Sequence, residues 1–140
     1  MKIRRATAQD SGAIKAIDPL AGSRKDLLRH AIRERGVFVL IDRDRLLAFA
    51  ILRRIFFERY FLELLLVHPD HRRQGLGSRL IGRMEEIAKV KGELWTSTNE
   101  SNRPMRRLLV SRGYRRAGKI IGLDHGDPEI FFVRPLASGT

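Results

Sequence analysis

His68-Pro69-Asp70-His71-Arg72-Arg73-Gln74-Gly75-Leu76-Gly77-Ser78-Arg79-Leu80 follows directly on the apolar run Leu64-Leu65-Leu66-Val67. A strand therefore runs into a short, basic, glycine-containing turn and then into a helix. Beyond the glycines, Leu76, Leu80, Met84, Ile87 and Ala88 recur as one apolar stripe, and Gly92 stands where the helix should end. Gly75 and Gly77 let the main chain approach a ligand without side-chain obstruction, at a helix start whose unpaired N–H groups and dipole attract anions. Phosphate suits such a place. Two nucleotide loops are excluded by spacing: GxxxxGK[ST] lacks its lysine, and GxGxxG has Leu80 at its sixth position.

Towards the N-terminus, residues 2–7 read as a strand, and Asp10 caps a short helix with Ala13, Ile14 and Ile17 on its apolar side, stopped at Pro19. Ser23 with Asp26 begins a second helix, in which Leu27, Leu28, Ala31 and Ile32 face inward and Gly36 closes the C-terminus. GVFVLI, the turn Asp42-Arg43-Asp44 and LLAFAIL form a hairpin, and YFLELLLV completes an antiparallel meander. On the far side of the long helix, ELWTST reads as a strand. Ser101 caps a helix with Pro104 in its first turn, Met105, Leu108 and Leu109 inward and Gly113 at its end. KIIGL and EIFFVR, joined by Asp124-His125-Gly126-Asp127-Pro128, are the last two strands. The order predicts a mixed α/β (α+β) architecture with helices on both faces of a sheet.

The length of 140 residues suits one domain, 1–140, and 43% hydrophobic with 31% charged residues is a globular composition. With no cysteine there is no disulfide, thiolate zinc site or cysteine nucleophile. No apolar run is long enough to cross a bilayer, and MKIRRATAQD lacks the apolar middle of a signal peptide. A cytoplasmic location is the expectation. Lysine plus arginine number 28 against 16 acids, a net charge of +12 that favours anionic partners without choosing among them.

Arg72-Arg73-Gln74-Gly75-Leu76-Gly77, after Val67-His68-Pro69, resembles the acyl-CoA pyrophosphate loop of the Gcn5-related N-acetyltransferases (GNAT), whose R/Q-x-x-G-x-G/A consensus and V-x-P-x-x-R spacing are both matched. Asn102 with Gly113-Tyr114 is similar to the family's later N-x-x-A and G-F helix, so the likeness covers nearly the whole chain. The resemblance implies the GNAT acyl-CoA N-acyltransferase fold, a mostly antiparallel mixed sheet of about seven strands. It implies acetyl-CoA as co-substrate, with main-chain groups of Leu65, Leu66 and Val67 binding the pantetheine arm. Arg73, Gln74, Gly75, Leu76, Gly77 and Ser78 would wrap the diphosphate, and Asn102 would touch the cofactor. Arg72, Arg79, Arg103, Arg106 and Arg107 are further candidates for its 3′-phosphate, against a solvated surface role for each.

The chemistry so implied is direct attack of a primary amine on the thioester. An alkyl amine is protonated at neutral pH, so a base must first take a proton. Glu63 interrupts the apolar run of its strand and is the candidate; the alternative is a carboxylate paired with Arg53, Arg54 or Arg59. Glu129 is a second, weaker candidate. Where many relatives carry a tyrosine seven residues after the helix asparagine, this chain has Leu109, and the protein N-terminal acetylases' glutamate is Ser97. The proton donor is therefore unassigned, with Ser97 or water available, and Tyr114 reads as core. His68, Asp70 and His71 belong to the loop, and no metal is expected. The competing readings are a CoA-binding protein of this fold without turnover and a basic nucleic-acid-binding module, against which the scattered arginines and the lack of stacking aromatics argue. The acceptor is not legible. A homodimer pairing through IFFV is conceivable from its apolar strand.

Overall fold

The computed structural model describes residues 1–137. Its elements are β1 (Lys2–Arg5), α1 (Ser11–Ile17), α2 (Lys25–Arg33), β2 (Val37–Asp42), β3 (Arg45–Phe56), β4 (Arg59–Val67), α3 (Leu76–Ala88), β5 (Glu93–Asn99), α4 (Arg103–Ser111), β6 (Arg115–Ile120) and β7 (Glu129–Pro135). The strands form one seven-stranded sheet in the order β1-β2-β3-β4-β5-β7-β6, so β1 and β6 are its outer strands. Pairs β1–β2, β2–β3, β5–β7 and β6–β7 are antiparallel. β4 and β5 run parallel, through Phe61↔Trp95 and Leu62↔Thr96, and α3 is the crossover that a parallel pair requires. This is the mixed α+β sheet that the element order predicts.

The chain divides into two compact units, Met1–Arg53 with Glu63–Met84, and Arg54–Leu62 with the chain from Glu85 onward. In the first, Ile14 and Ile17 of α1 and Leu28 and Ala31 of α2 lie three residues apart on their helices. They pack on alternate strand residues, Val37 and Val39 of β2 and Phe49 and Ile51 of β3, with Leu64 and Leu66 at the margin. Periods of 3.6 and 2 meet there in one core. Asp10 closes the entry to α1: its carboxylate accepts from Arg4 Nη1 at 2.9 Å, Arg4 Nη2 at 3.0 Å and the Thr7 N–H at 2.8 Å. The hydrogen bond from Arg4 holds the Asp10 carboxyl below its ordinary range. Asp10 makes no side-chain capping bond to α1, so Asp10→Ala loses the Arg4 and Thr7 bonds and should lower stability by about 1 kcal/mol, read as a shift in urea midpoint. Because the folded value is depressed, the loss should be complete above the ordinary carboxylate range and shrink below it, as pH falls through the lower folded value.

In the second unit β5 alternates cleanly, with Leu94, Thr96 and Thr98 buried and Trp95 and Ser97 half-buried. The buried side joins Ala88, Leu109, Tyr114, Ile130 and Phe132 as core. Thr96 Oγ1 donates to Leu62 O at 2.8 Å, satisfying its buried hydroxyl. Glu85 is also buried, and its carboxylate is met by Arg112 Nη2 at 2.5 Å, Arg134 Nη1 at 2.9 Å and the Tyr114 hydroxyl at 2.9 Å. Phe56, Phe61, Trp95 and Phe131 form an aromatic cluster in this unit, with centroids 5.1 Å (Phe56–Phe61), 5.3 Å (Phe56–Trp95) and 5.9 Å (Phe61–Phe131) apart.

Local readings differ from the structure in five places, the first being Ala13 of α1, which is exposed although the sequence places it on the apolar side. β6 is Arg115–Ile120, not KIIGL: it is exposed along its whole length, so pairing to β7 and not burial sets it, and Ile121 and Leu123 lie in the exposed turn that follows. The N-cap of α4 is Asn102, and Ser101 instead donates to Asp127 at 2.5 Å. Ser23 ends a 3-10 turn and donates to Leu20 O, which leaves Arg24 as the N-cap of α2. β7 carries IFFV between β5 and β6, so both of its edges are already paired and neither is open to a second copy.

Candidate functional site

β4 leaves the sheet at Val67, and the chain turns through a 3-10 segment, Pro69–His71. Three bonds fix that turn: His68 N–H to Leu47 O at 2.7 Å, Asp70 N–H to His68 Nδ1 at 3.1 Å, and His71 N–H to His68 O at 2.9 Å. The His71 ring meets Arg45 Nη2 at 3.1 Å. Both imidazoles thus have local partners, and among the described residues no group of three or more His, Cys, Asp or Glu side chains is arranged to hold a metal.

Arg73 and Gly75 then take left-handed backbone angles, φ +63° and +76°. The second is the position where glycine matters, since a β-carbon there would meet nothing within 4 Å yet would be strained by the angle. Leu76 is buried and pins the start of α3, while Arg72, Arg73, Gln74 and Gly75 are exposed. Arg79 N–H to Gly75 O, at 3.0 Å, is the first turn's bond. By helix geometry the amides of Gly75, Leu76 and Gly77, ahead of it, have no acceptor within α3. The local fold therefore presents main-chain donors and two arginines on an exposed loop, the chemistry of an anion site.

Glu63, on β4 just before this segment, is clamped by Arg53: Nε to Oε1 at 2.5 Å and Nη2 to Oε2 at 3.0 Å, with both side chains largely buried. Arg53 also reaches Glu34 at 3.3 Å. The hydrogen bond to Glu63 raises the affinity of the Arg53 guanidinium for its proton. The ion pair foreseen as the alternative for Glu63 is thus present, and both carboxylate oxygens are engaged in it. Leu65, Leu66 and Val67 follow as half-buried strand residues.

The second unit holds the remaining candidates. Asn102 accepts the Met105 N–H at 3.2 Å through its side-chain oxygen, a capping role that commits one end of its amide. Leu109 is fully buried and brings no exchangeable proton. Tyr114 is buried and gives its hydroxyl to Glu85; burial, reinforced by that carboxylate, pushes its pKa far above the usual phenol range. It is a core residue, as its sequence context predicts. Ser97 and Glu129, considered one at a time from the sequence, are brought together: Ser97 Oγ donates to Glu129 Oε2 at 2.7 Å across the β5–β7 ladder. Their 32-residue separation hid the pairing, and the only sequence signal was a lone acid at the head of an apolar strand.

The acetyltransferase (GNAT) family model matches residues 10–114. A GNAT-family acetyltransferase from Bacillus cereus is 31% identical, with 96% of each chain covered and a TM-score of 0.87. The ribosomal-protein-S18-alanine N-acetyltransferase of Escherichia coli shares the fold at 23% identity and TM-score 0.81, covering 99% of this chain and 96% of its own. So does yncA from Salmonella typhimurium, solved with acetyl-CoA as its cofactor, at 22% identity and TM-score 0.80 over 100% of this chain and 96% of its own. The search of curated proteins returned no match. Among the described residues no helix is long and apolar enough to cross a membrane. With three quarters of its length under the family model and an exposed glycine loop opening α3, the chain belongs to the acetyltransferase (GNAT) family.

Proposed function

We propose that this protein transfers the acetyl group of acetyl-CoA to a primary amine by direct attack, as one GNAT domain spanning residues 1–140. The observation that carries the reading is the loop Arg72–Ser78, with glycine at a left-handed angle and main-chain donors at the head of α3. In this proposal Arg73, Gln74, Gly75, Leu76, Gly77 and Ser78 hold the diphosphate, Arg72 adds charge, and the main chain of Leu65, Leu66 and Val67 binds the pantetheine arm. Asn102 contributes the amide nitrogen that its capping bond leaves over. Glu63, the base expected from the sequence, has both oxygens held by Arg53 and must release one before it takes a proton. The likeness to an alanine N-acetyltransferase puts peptide N-termini among the acceptors to try, beside small amines and lysine peptides.

Calorimetry should show saturable uptake of acetyl-CoA by the purified chain, and thiol release with a panel of such amines should identify the acceptor. No uptake at ordinary salt would end this reading. Leu109 supports one second reading, a protein that binds CoA without turnover, because no hydroxyl stands at that position. Uptake without thiol release from any amine would select it.

A further inference from the structure

We propose that Glu129, positioned by Ser97 and flanked by the aromatic cluster of the second unit, binds the acceptor ammonium and takes its proton. This rests on the acetyl-transfer reading but assigns the acceptor subsite. Glu63 has both oxygens tied to a permanent cation, whereas Glu129 has one oxygen on a neutral hydroxyl, and among the described residues no protein donor reaches its Oε1. A carboxylate with an open lone pair accepts a proton in line; one clamped bidentately must first break a charge-assisted pair.

The surroundings suit an amine. Ser97 is opposite Phe131 in the β5–β7 register, Trp95 lies two residues before it on the same side of β5, and Phe61 is opposite Trp95. Phe131 and Phe61 rings are 5.9 Å apart. A half-buried carboxylate with aromatic residues at neighbouring register positions is an environment that attracts an alkylammonium, through charge and through the ring quadrupoles. These neighbours favour an amine carrying an apolar or aromatic body, in spite of the chain's overall +12 charge.

In the step itself the acceptor ammonium gives one proton to Glu129 Oε1, forming the neutral carboxyl. The freed nitrogen pair bonds to the thioester carbon, whose C=O electrons move to oxygen. When that oxygen returns its pair, the C–S bond breaks and sulfur leaves as thiolate. The second nitrogen proton ends on sulfur, and Glu129 returns its own proton to water. Ser97 does not touch the substrate; it fixes which oxygen faces it.

Trp95 is the only tryptophan in the chain, so its emission reports on this subsite. Titration with 2-phenylethylammonium chloride should change that emission saturably, and 2-phenylethanol should not. Glu129→Gln keeps an acceptor for Ser97 and loses the charge, and should weaken binding of the ammonium probe at least tenfold. Ser97→Ala should weaken it several-fold and Ser97→Thr restore it. Where the amine panel gives turnover, Glu129→Gln should lower kcat about a hundredfold, against a smaller loss for Glu63→Gln. The inference is overturned if the wild-type chain gives no saturable change, if 2-phenylethanol binds as well, or if Glu129→Gln binds like wild type. Acetyl-CoA calorimetry on the same samples separates the two failures, since lost cofactor uptake counts against the acetyl-transfer reading and not against the amine site.

Discussion

Glu85→Ala is expected to cost about 2–3 kcal/mol of folding stability, the upper range for leaving hydrogen-bonding partners unsatisfied, because Arg112 and Arg134 keep partial contact with water. Glu85 sits on the buried side of α3 and takes hydrogen bonds from Arg112, which follows α4, from Arg134 on β7 and from Tyr114 at the entrance to β6. Truncation leaves two guanidinium groups and a phenol hydroxyl around an empty space, with their desolvation no longer offset. Urea denaturation gives the measurement, and Tyr114→Phe, which removes one hydroxyl and no charge, is the gentler control at about 1 kcal/mol. The same cluster sets an acid sensitivity. Burial alone would raise the Glu85 carboxyl, but the hydrogen bonds from Arg112, Arg134 and Tyr114 outweigh it, and the net direction is downward. A depressed folded value means that the carboxylate's contribution is whole above the ordinary range near 4.5 and fades as pH drops through its lower folded value. In Glu85→Ala that part of the acid dependence should vanish. A variant that unfolds at the wild-type urea midpoint would show that the cluster contributes no net stability.

Gly75→Asp should separate binding from folding. Aspartate tolerates a left-handed angle better than most residues, and a side chain at this position meets open space, so stability should change by about 1 kcal/mol or less. A fixed negative charge roughly 5 Å from a diphosphate carrying about two charges, at an effective dielectric near 40, opposes binding by roughly 3 kcal/mol, a few hundredfold in affinity. Calorimetry with acetyl-CoA reads the loss and urea denaturation the near-constant fold. Unchanged affinity would remove the diphosphate from this loop.

Where burial or backbone geometry dictated the residue, the sequence was legible. The apolar stripe of α3 predicts Leu76, Leu80, Met84, Ile87 and Ala88 as inward; four of them are buried and Ile87 is half-buried. Of the two glycines that the sequence marks for backbone freedom, Gly75 has the left-handed angle that demands glycine, whereas Gly77 lies within α3 without one. What stayed hidden depends on pairing across distance. β6 has no buried face, so an alternation of apolar residues could not mark it, and its true extent follows from hydrogen bonding to β7. Ser97 and Glu129 meet only because β5 and β7 run side by side in one particular register. Likewise the partner of Glu63 was one of three nearby arginines by sequence, and strand geometry chose Arg53.

The two outer strands of the sheet, β1 and β6, read Lys2-Ile3-Arg4-Arg5 and Arg115-Arg116-Ala117-Gly118-Lys119-Ile120. An unpaired strand edge is a template on which another polypeptide can add itself, and cationic side chains deter that by repelling an identical copy. Part of the chain's basic excess is thereby accounted for without any ligand. It guards against edge-to-edge aggregation, and replacing Lys2, Arg115, Arg116 and Lys119 with neutral residues would expose two templates for self-association.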